Sequence, residues 1–158
     1  MNKIEVANDV LSRQLSWISA ADSKISSIFA INGAMLGVLA ALISPIEKWT
    51  IFCAIMAAFS AVPLFGSMIS LALAIFPRLS GPKGSLIYFG EIVSRSEDSY
   101  VQEVYNMDDN LFKEDMLRQV YRNAEIAQTK FNCVKWAMIQ TFTGFLPWLV
   151  AIWCLYKQ

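Results

Sequence analysis

Charge-free runs divide this chain into a few long pieces. Ile25 to Ile46, Trp49 to Pro77 and Trp136 to Tyr156 contain no Asp, Glu, Lys or Arg. Each is long enough, at ~1.5 Å per residue, to cross a hydrocarbon layer of roughly 30 Å. The pattern predicts an all-α membrane protein with three transmembrane helices over 25–46, 49–77 and 136–156. Helical cytosolic extensions complete it, an N-terminal arm over 1–24 and a region over 78–135. The second run exceeds what one bilayer requires, so it must tilt, extend beyond the lipid or kink at Pro63. The first run follows a mixed-charge, helix-patterned segment and no cleavage-like site comes after it, so it reads as a permanent span rather than a secretion signal.

Outside the spans the apolar positions keep helical spacing. Ile4, Ala7, Leu11, Leu15, Ile18, Asp22, Ile25 and Phe29 recur at steps of three and four and lead into the first span. Leu117, Val120, Ala124, Ala127, Phe131, Val134 and Met138 lead into the third in the same way, after a helix start marked by Asp108, Asp109 and Asn110. The two stripes are expected to pack on each other or on a neighbouring subunit. Between them, Ser96, Glu97 and Asp98 have the makings of a cap and acidic first turn for a short helix to about Tyr105.

Charge then orients the spans. Lys plus Arg number 13 against 13 Asp plus Glu, but the bases are not evenly spread. The turn from Ser44 to Lys48 makes the first two spans a hairpin, which puts the arm and the 78–135 region on one side with all bases except Lys48 and Lys157. By the positive-inside rule that side is the cytosol, giving a multi-pass membrane protein with a cytoplasmic N-terminus. No basic excess points to nucleic acid as a partner.

The chemistry is read largely by exclusion. There is no histidine, which removes His-based triads, His-containing zinc sites and His general bases. Cys53, Cys133 and Cys154 lack paired spacing and read as buried small hydrophobes. Gly81-Pro82-Lys83-Gly84 is too little to make a phosphate loop. The expectation is a protein without catalytic residues, metal or cofactor, and not an enzyme.

The stretch AADSKISSIFAINGAMLG, 20–37, places charge and small residues where lipid begins. Asp22 and Lys24, two apart, point in nearly opposite directions on a helix and cannot pair. Asp22 lies on the apolar stripe, where a carboxylate needs a partner, and Lys135 enters the membrane at a similar depth from the same side. The alternative is that Asp22 caps the first span. Ser26, Ala30, Gly33, Gly37 and Ala41 form a narrow small-residue face with a GxxxG at its centre, suited to close helix packing. The same face could line a pore or switch between packings, with Asn32 beside it supplying a hydrogen bond.

Three segments carry a family resemblance. ISAADSKISSIFAINGAML, FPRLSGPKGSLIYFGEI and DMLRQVYRNAEIAQTKFNCVKWA resemble, in order, the Ala-Asp-x-Lys approach to span one, the Pro-Arg and Phe-Gly-x-Ile connection after span two, and the final helix of the transmembrane effectors of Pycsar. That bacterial antiphage system signals with cyclic pyrimidine nucleotides. The resemblance implies an effector that senses a cyclic pyrimidine mononucleotide, cUMP or cCMP, from a partner cyclase. It then impairs the inner membrane so that the infected cell stops growing. Its partners would be the lipid bilayer, that nucleotide and further copies of itself in a homo-oligomer. A small oligomeric channel, a structural membrane subunit or an effector of another nucleotide-signalling defence operon would show the same hydropathy. Candidate ligand contacts are Arg78 and Lys83 for a phosphate, Arg118 and Arg122 one turn apart on a polar face, and Tyr88, Phe89 and Tyr100 for stacking on a base. Each also has an ordinary reading: bases flanking a span, bases paired with Glu114 and Glu125 on a solvated helix, and aromatics that pack a connection.

Overall fold

The computed structural model describes residues 3–43, 50–77 and 80–157. The turn from Ser44 to Lys48, Trp49 and Arg78 lie outside the described residues. Those described form helices α1 (Lys3–Ile43), α2 (Ile51–Ile75), α3 (Phe89–Val93), α4 (Glu97–Asn106) and α5 (Asp109–Tyr156). Among them α1, α2 and α5 are long and apolar enough to cross a membrane, and the chain is an all-helical, multi-pass membrane protein.

Local chemistry explains the ends. α2 stops at Ile75, just before Phe76 and Pro77, because the residue preceding a proline is pushed out of helical geometry. Ser96 caps α4 with its side-chain oxygen, which accepts from Ser99 N at 3.3 Å. The Asp108 carboxylate accepts from Asn110 N at 3.3 Å as α5 begins. Pro63 lies within α2, which continues through it.

The chain divides into two compact units. One is Met1–Ala20 with Pro77–Thr129, the other Ala21–Phe76 with Lys130–Gln158. In the second unit the contacts run in layers. Ile25, Leu71, Ala74, Val134 and Ala137 pack at one end, and Leu39, Cys53, Ala57, Ala151 and Leu155 at the other. The pairing of low α1 numbers with high α2 numbers makes α2 antiparallel to α1, while α5 runs parallel to α1. Lipid supplies no hydrophobic drive between helices, so van der Waals fit and hydrogen bonds hold such a bundle. Gly144 shows the fit: a Cβ there would lie 3.1 Å from both Pro63 Cγ and the Ser60 carbonyl oxygen.

The buried positions correct the two expected stripes. On α1 they are Ala7, Gln14, Ala21, Ile25, Asn32, Met35 and Leu39, and on α5 they include Met116, Asn123, Ala127, Val134, Ala137, Ala151 and Leu155. α2 buries Cys53, Ala57, Ser60, Leu64, Ser67, Leu71 and Ala74, strict steps of four and three. All three seams keep a 3.5-residue repeat, as in coiled coils. Leu15, Phe29, Leu117 and Met138, assigned to the stripes on hydrophobicity, are 53, 41, 51 and 41% exposed. The expected stripes already keep steps of three and four, so the difference is one of phase: Ala7, Ile25, Ala127 and Val134 lie on the seam as expected, whereas Leu15 and Leu117 stand one position, about 100° around the helix, from the buried Gln14 and Met116. Gln14 and Asn123 hid the true seam by being polar.

Candidate functional site

Each unit contains a polar constellation. In the membrane-type unit it lies between the two apolar layers. Asn32 is fully buried, and its Nδ2 donates to Ser67 Oγ at 2.7 Å while its Oδ1 accepts from Thr141 Oγ1 at 3.0 Å. Ser67 Oγ and Thr141 Oγ1 are 3.0 Å apart. The three side chains, one from each long helix, can therefore close a ring in which every group donates once and accepts once. The Ala137 carbonyl, 2.9 Å from both hydroxyls, is an alternative acceptor. In lipid an interhelical hydrogen bond of this kind contributes on average ~0.6 kcal/mol and up to ~1.7. A second tie joins α5 to α1, from Trp148 Nε1 to the Met35 carbonyl at 2.9 Å.

Asp22 has a partner, and it corrects the expected one. Lys130 Nζ donates to Asp22 Oδ1, whereas Lys135 is exposed. Five residues along a helix turn a side chain by about 140° and advance it ~7.5 Å, so the two lysines cannot share a face. Ser26 is exposed, its hydroxyl donating to the Asp22 carbonyl within the helix at 3.1 Å. Gly33 and Gly37 have nothing within 4 Å of a built Cβ. Close approach between spans of this unit is made at Gly144 and at Gly66, where a Cβ would meet the Gln140 side chain, not along the GxxxG face, and Asn32, one position away from that face, points inward.

In the other unit the segment after Pro77 is held by side chains bonding its backbone. Arg122 Nε donates to the Ser80 carbonyl at 2.8 Å and its Nη2 to the Ser80 hydroxyl. The Asp115 carboxylate, buried, accepts from Leu86 N at 2.8 Å. Arg95 Nη1 donates to the carbonyls of Ser85 and Glu91 at 3.1 and 2.7 Å, and its Nε pairs with Glu103 at 3.0 Å. Ser85 Oγ accepts from the amides of Ile87 and Tyr88 at 3.1 and 2.9 Å, turning the chain into α3. Gly84 holds φ +74° there, a left-handed geometry that favours glycine, and its N–H donates to Glu91 Oε2 at 3.0 Å.

The expected ligand contacts separate accordingly. Lys83 and Arg118 line one cleft of ≈ 220 Å³, with Glu114 and Asp115 on its walls. Arg118 Nη2 is 2.5 Å from Glu114 Oε1, and Lys83 is exposed and in no ion pair among the described residues. Arg122 is engaged by Ser80 and by Glu125 at 2.9 Å. The Tyr88 ring is buried, with Gly81 and Gly90 against it and Phe89 at 4.8 Å between centroids. Tyr100 Oη donates to the Leu86 carbonyl at 3.2 Å, while Phe89 is exposed. Sequence reasoning missed Ser67, Thr141, Asp115 and Lys130. Ser60 and Ser67, seven apart and followed by Ala74, marked a seam within an otherwise apolar helix. Nothing comparable marked Asp115.

A helical membrane protein with three helices long and apolar enough to span, a hydrogen-bonded cluster that joins them and a second unit braced by side chains is the class these features define. The chain belongs to the Pycsar effector family: the Pycsar effector protein domain, PycTM, matches it over residues 6–156. No curated protein and no solved structure matches the chain.

Proposed function

We propose that this protein is the membrane-acting component of an antiphage pair in bacteria. A partner cyclase makes a cyclic pyrimidine mononucleotide, cUMP or cCMP, on infection. Binding of that nucleotide on the cytosolic side of the inner membrane shifts a homo-oligomer from a resting to a membrane-damaging packing, and the infected cell stops growing. Membership of the Pycsar effector family over nearly the whole chain is the observation that carries this reading.

The reading puts the nucleotide in the cleft of Lys83 and Arg118. A cyclic phosphodiester carries one negative charge, matched by an exposed ammonium and by a guanidinium that can trade Glu114 for the ligand. Glu114 is then released to accept from the ribose hydroxyl or a pyrimidine N–H. A ligand shifts an equilibrium only by its difference in affinity between the states. α5, unbroken from Asp109 to Tyr156, contributes both to this cleft and to the Asn32 cluster. Self-association is assigned to the outward face of Gly33 and Gly37, which leaves room for close approach by a neighbouring chain.

The test is dye release from liposomes containing purified protein, challenged with cUMP, cCMP, cAMP and cGMP. Release with a pyrimidine nucleotide only, lost in the doubly reversed Lys83→Glu, Arg118→Glu protein, is the expected result. Release that ignores nucleotide would make the protein a plain channel, and no release with any of the four would end the proposal.

A further inference from the structure

Two recesses in the membrane-type unit share a wall. The larger, ≈ 420 Å³, is a groove between α1 and α5 faced by Ile31, Met35, Phe142, Phe145 and Trp148. Thr141 also borders it, but its hydroxyl is bonded to Asn32 and the Trp148 N–H to the Met35 carbonyl, so the groove offers apolar surface. The smaller, ≈ 260 Å³, is lined by Ser23, Lys24 and Ser27. Ile28 and Met138 line both, so the two adjoin, with a cation at the smaller and apolar surface along the larger. The Lys24 ammonium lies 5.6 Å from the centroid of the Phe131 ring on α5, a cation–π distance.

We infer that these adjoining recesses bind one anionic phospholipid, its phosphate at Lys24 and an acyl chain along Ile31, Met35 and Phe142. Three properties select this occupant. Lys24 is the unneutralised charge: the neighbouring Asp22 is taken by Lys130, and no carboxylate lines either recess. The two recesses together border α1 from Lys24 to Met35, eleven residues or ~16 Å at the helical rise, about half of a hydrocarbon layer of roughly 30 Å. That is the depth of one leaflet, with the cation at its headgroup surface. A transmembrane helix from a second copy would continue past both ends and cover Lys24 with apolar surface. Lipid seated here touches Met138 and Thr141, and so borders the residues that hold Asn32. This inference goes beyond the nucleotide reading and does not depend on it.

Native mass spectrometry of the protein released from nanodiscs of equal phosphatidylglycerol and phosphatidylcholine, without nucleotide, tests it. The expected result is a single retained phosphatidylglycerol, favoured about fivefold, the effect of one lysine at an anionic surface. Lys24→Gln should abolish the preference, while Lys24→Arg and Lys135→Gln keep it. Ile31→Trp, which fills the groove at a half-exposed position, should reduce retention of both lipids. Equal retention by the unaltered protein, or a preference that survives Lys24→Gln, would overturn the inference. A lipid-free oligomer that Ile31→Trp dissociates would overturn it too, by identifying a second copy as the occupant.

Discussion

The two units use their polar side chains differently. In the unit of Met1–Ala20 and Pro77–Thr129, charged side chains bond the backbone: Asp115 holds Leu86 N, Arg122 and Arg95 hold the carbonyls of Ser80, Ser85 and Glu91. In the unit of Ala21–Phe76 and Lys130–Gln158, Asn32, Ser67 and Thr141 bond one another across helices, while most other hydroxyls return to a carbonyl of their own helix. The difference follows from what the backbone lacks. A segment between helices has no ladder of its own, and each buried amide or carbonyl requires an outside partner. A span is already satisfied internally, so its polar side chains serve to join helices, and small residues set how closely they approach.

The largest break is expected in the packing of the spans. Gly144→Leu drives a side chain into Pro63 and the Ser60 carbonyl and should cost roughly 3 kcal/mol, read as unfolding in mixed detergent micelles by circular dichroism. Leu at both Gly33 and Gly37, which face open space, should leave that unfolding within ~0.5 kcal/mol while weakening self-association in crosslinking. Comparable losses from both would mean that the spans do not pack through Gly144.

In the braced unit, Asp115→Ala leaves Leu86 N–H buried without its acceptor and should cost about 2 kcal/mol. Asp115→Asn, which keeps an acceptor oxygen, should recover most of it. Hydrogen exchange localises the effect: the Leu86 amide should exchange faster in the alanine variant, and an unchanged rate would show that the carboxylate does not hold it.

Asn32→Leu should be milder, about 1 kcal/mol, because Ser67 and Thr141 can both turn to the Ala137 carbonyl. A loss exceeding that of Asp115→Ala would reverse the contrast between the units.

The smallest effect belongs to Asp22 and Lys130, whose side chains are 47 and 15% exposed. A double-alanine cycle should give a coupling of roughly 0.5 kcal/mol that fades in high salt, and the same cycle with Lys135 should give none. Equal coupling to both lysines would point to a diffuse field rather than a contact.

Helix type, the number of spans and the start of α4 at Ser96 were legible because each is a local property: a charge-free run of sufficient length, or a hydroxyl placed to accept from an amide three residues on. The family was legible from ordered segments of sequence. The phase of the seam was not, since adjacent faces of a helix show the same spacing of three and four, and hydrophobicity favoured Leu15 and Leu117 over Gln14 and Met116. The candidate cleft was half legible. Lys83 and Arg118 were named as bases and meet on one cleft, but nothing local distinguishes Arg118 from Arg122, which is occupied by Ser80 forty-two residues away in sequence.

Sequence alone determined that this chain would place three helices in lipid, because transfer of an apolar run from water depends on that run and little else. Tertiary structure decided which polar groups meet. Asn32 joins Ser67 and Thr141, Asp22 takes Lys130 rather than Lys135, and Gly144 rather than Gly33 or Gly37 carries the close approach within the spans. A hydrogen bond or ion pair is fixed to within an ångström, and a shift of one residue turns a helical side chain by about 100°. Partners between distant helices therefore depend on the rotation and register that the packed bundle sets, and no single segment of the chain contains that information.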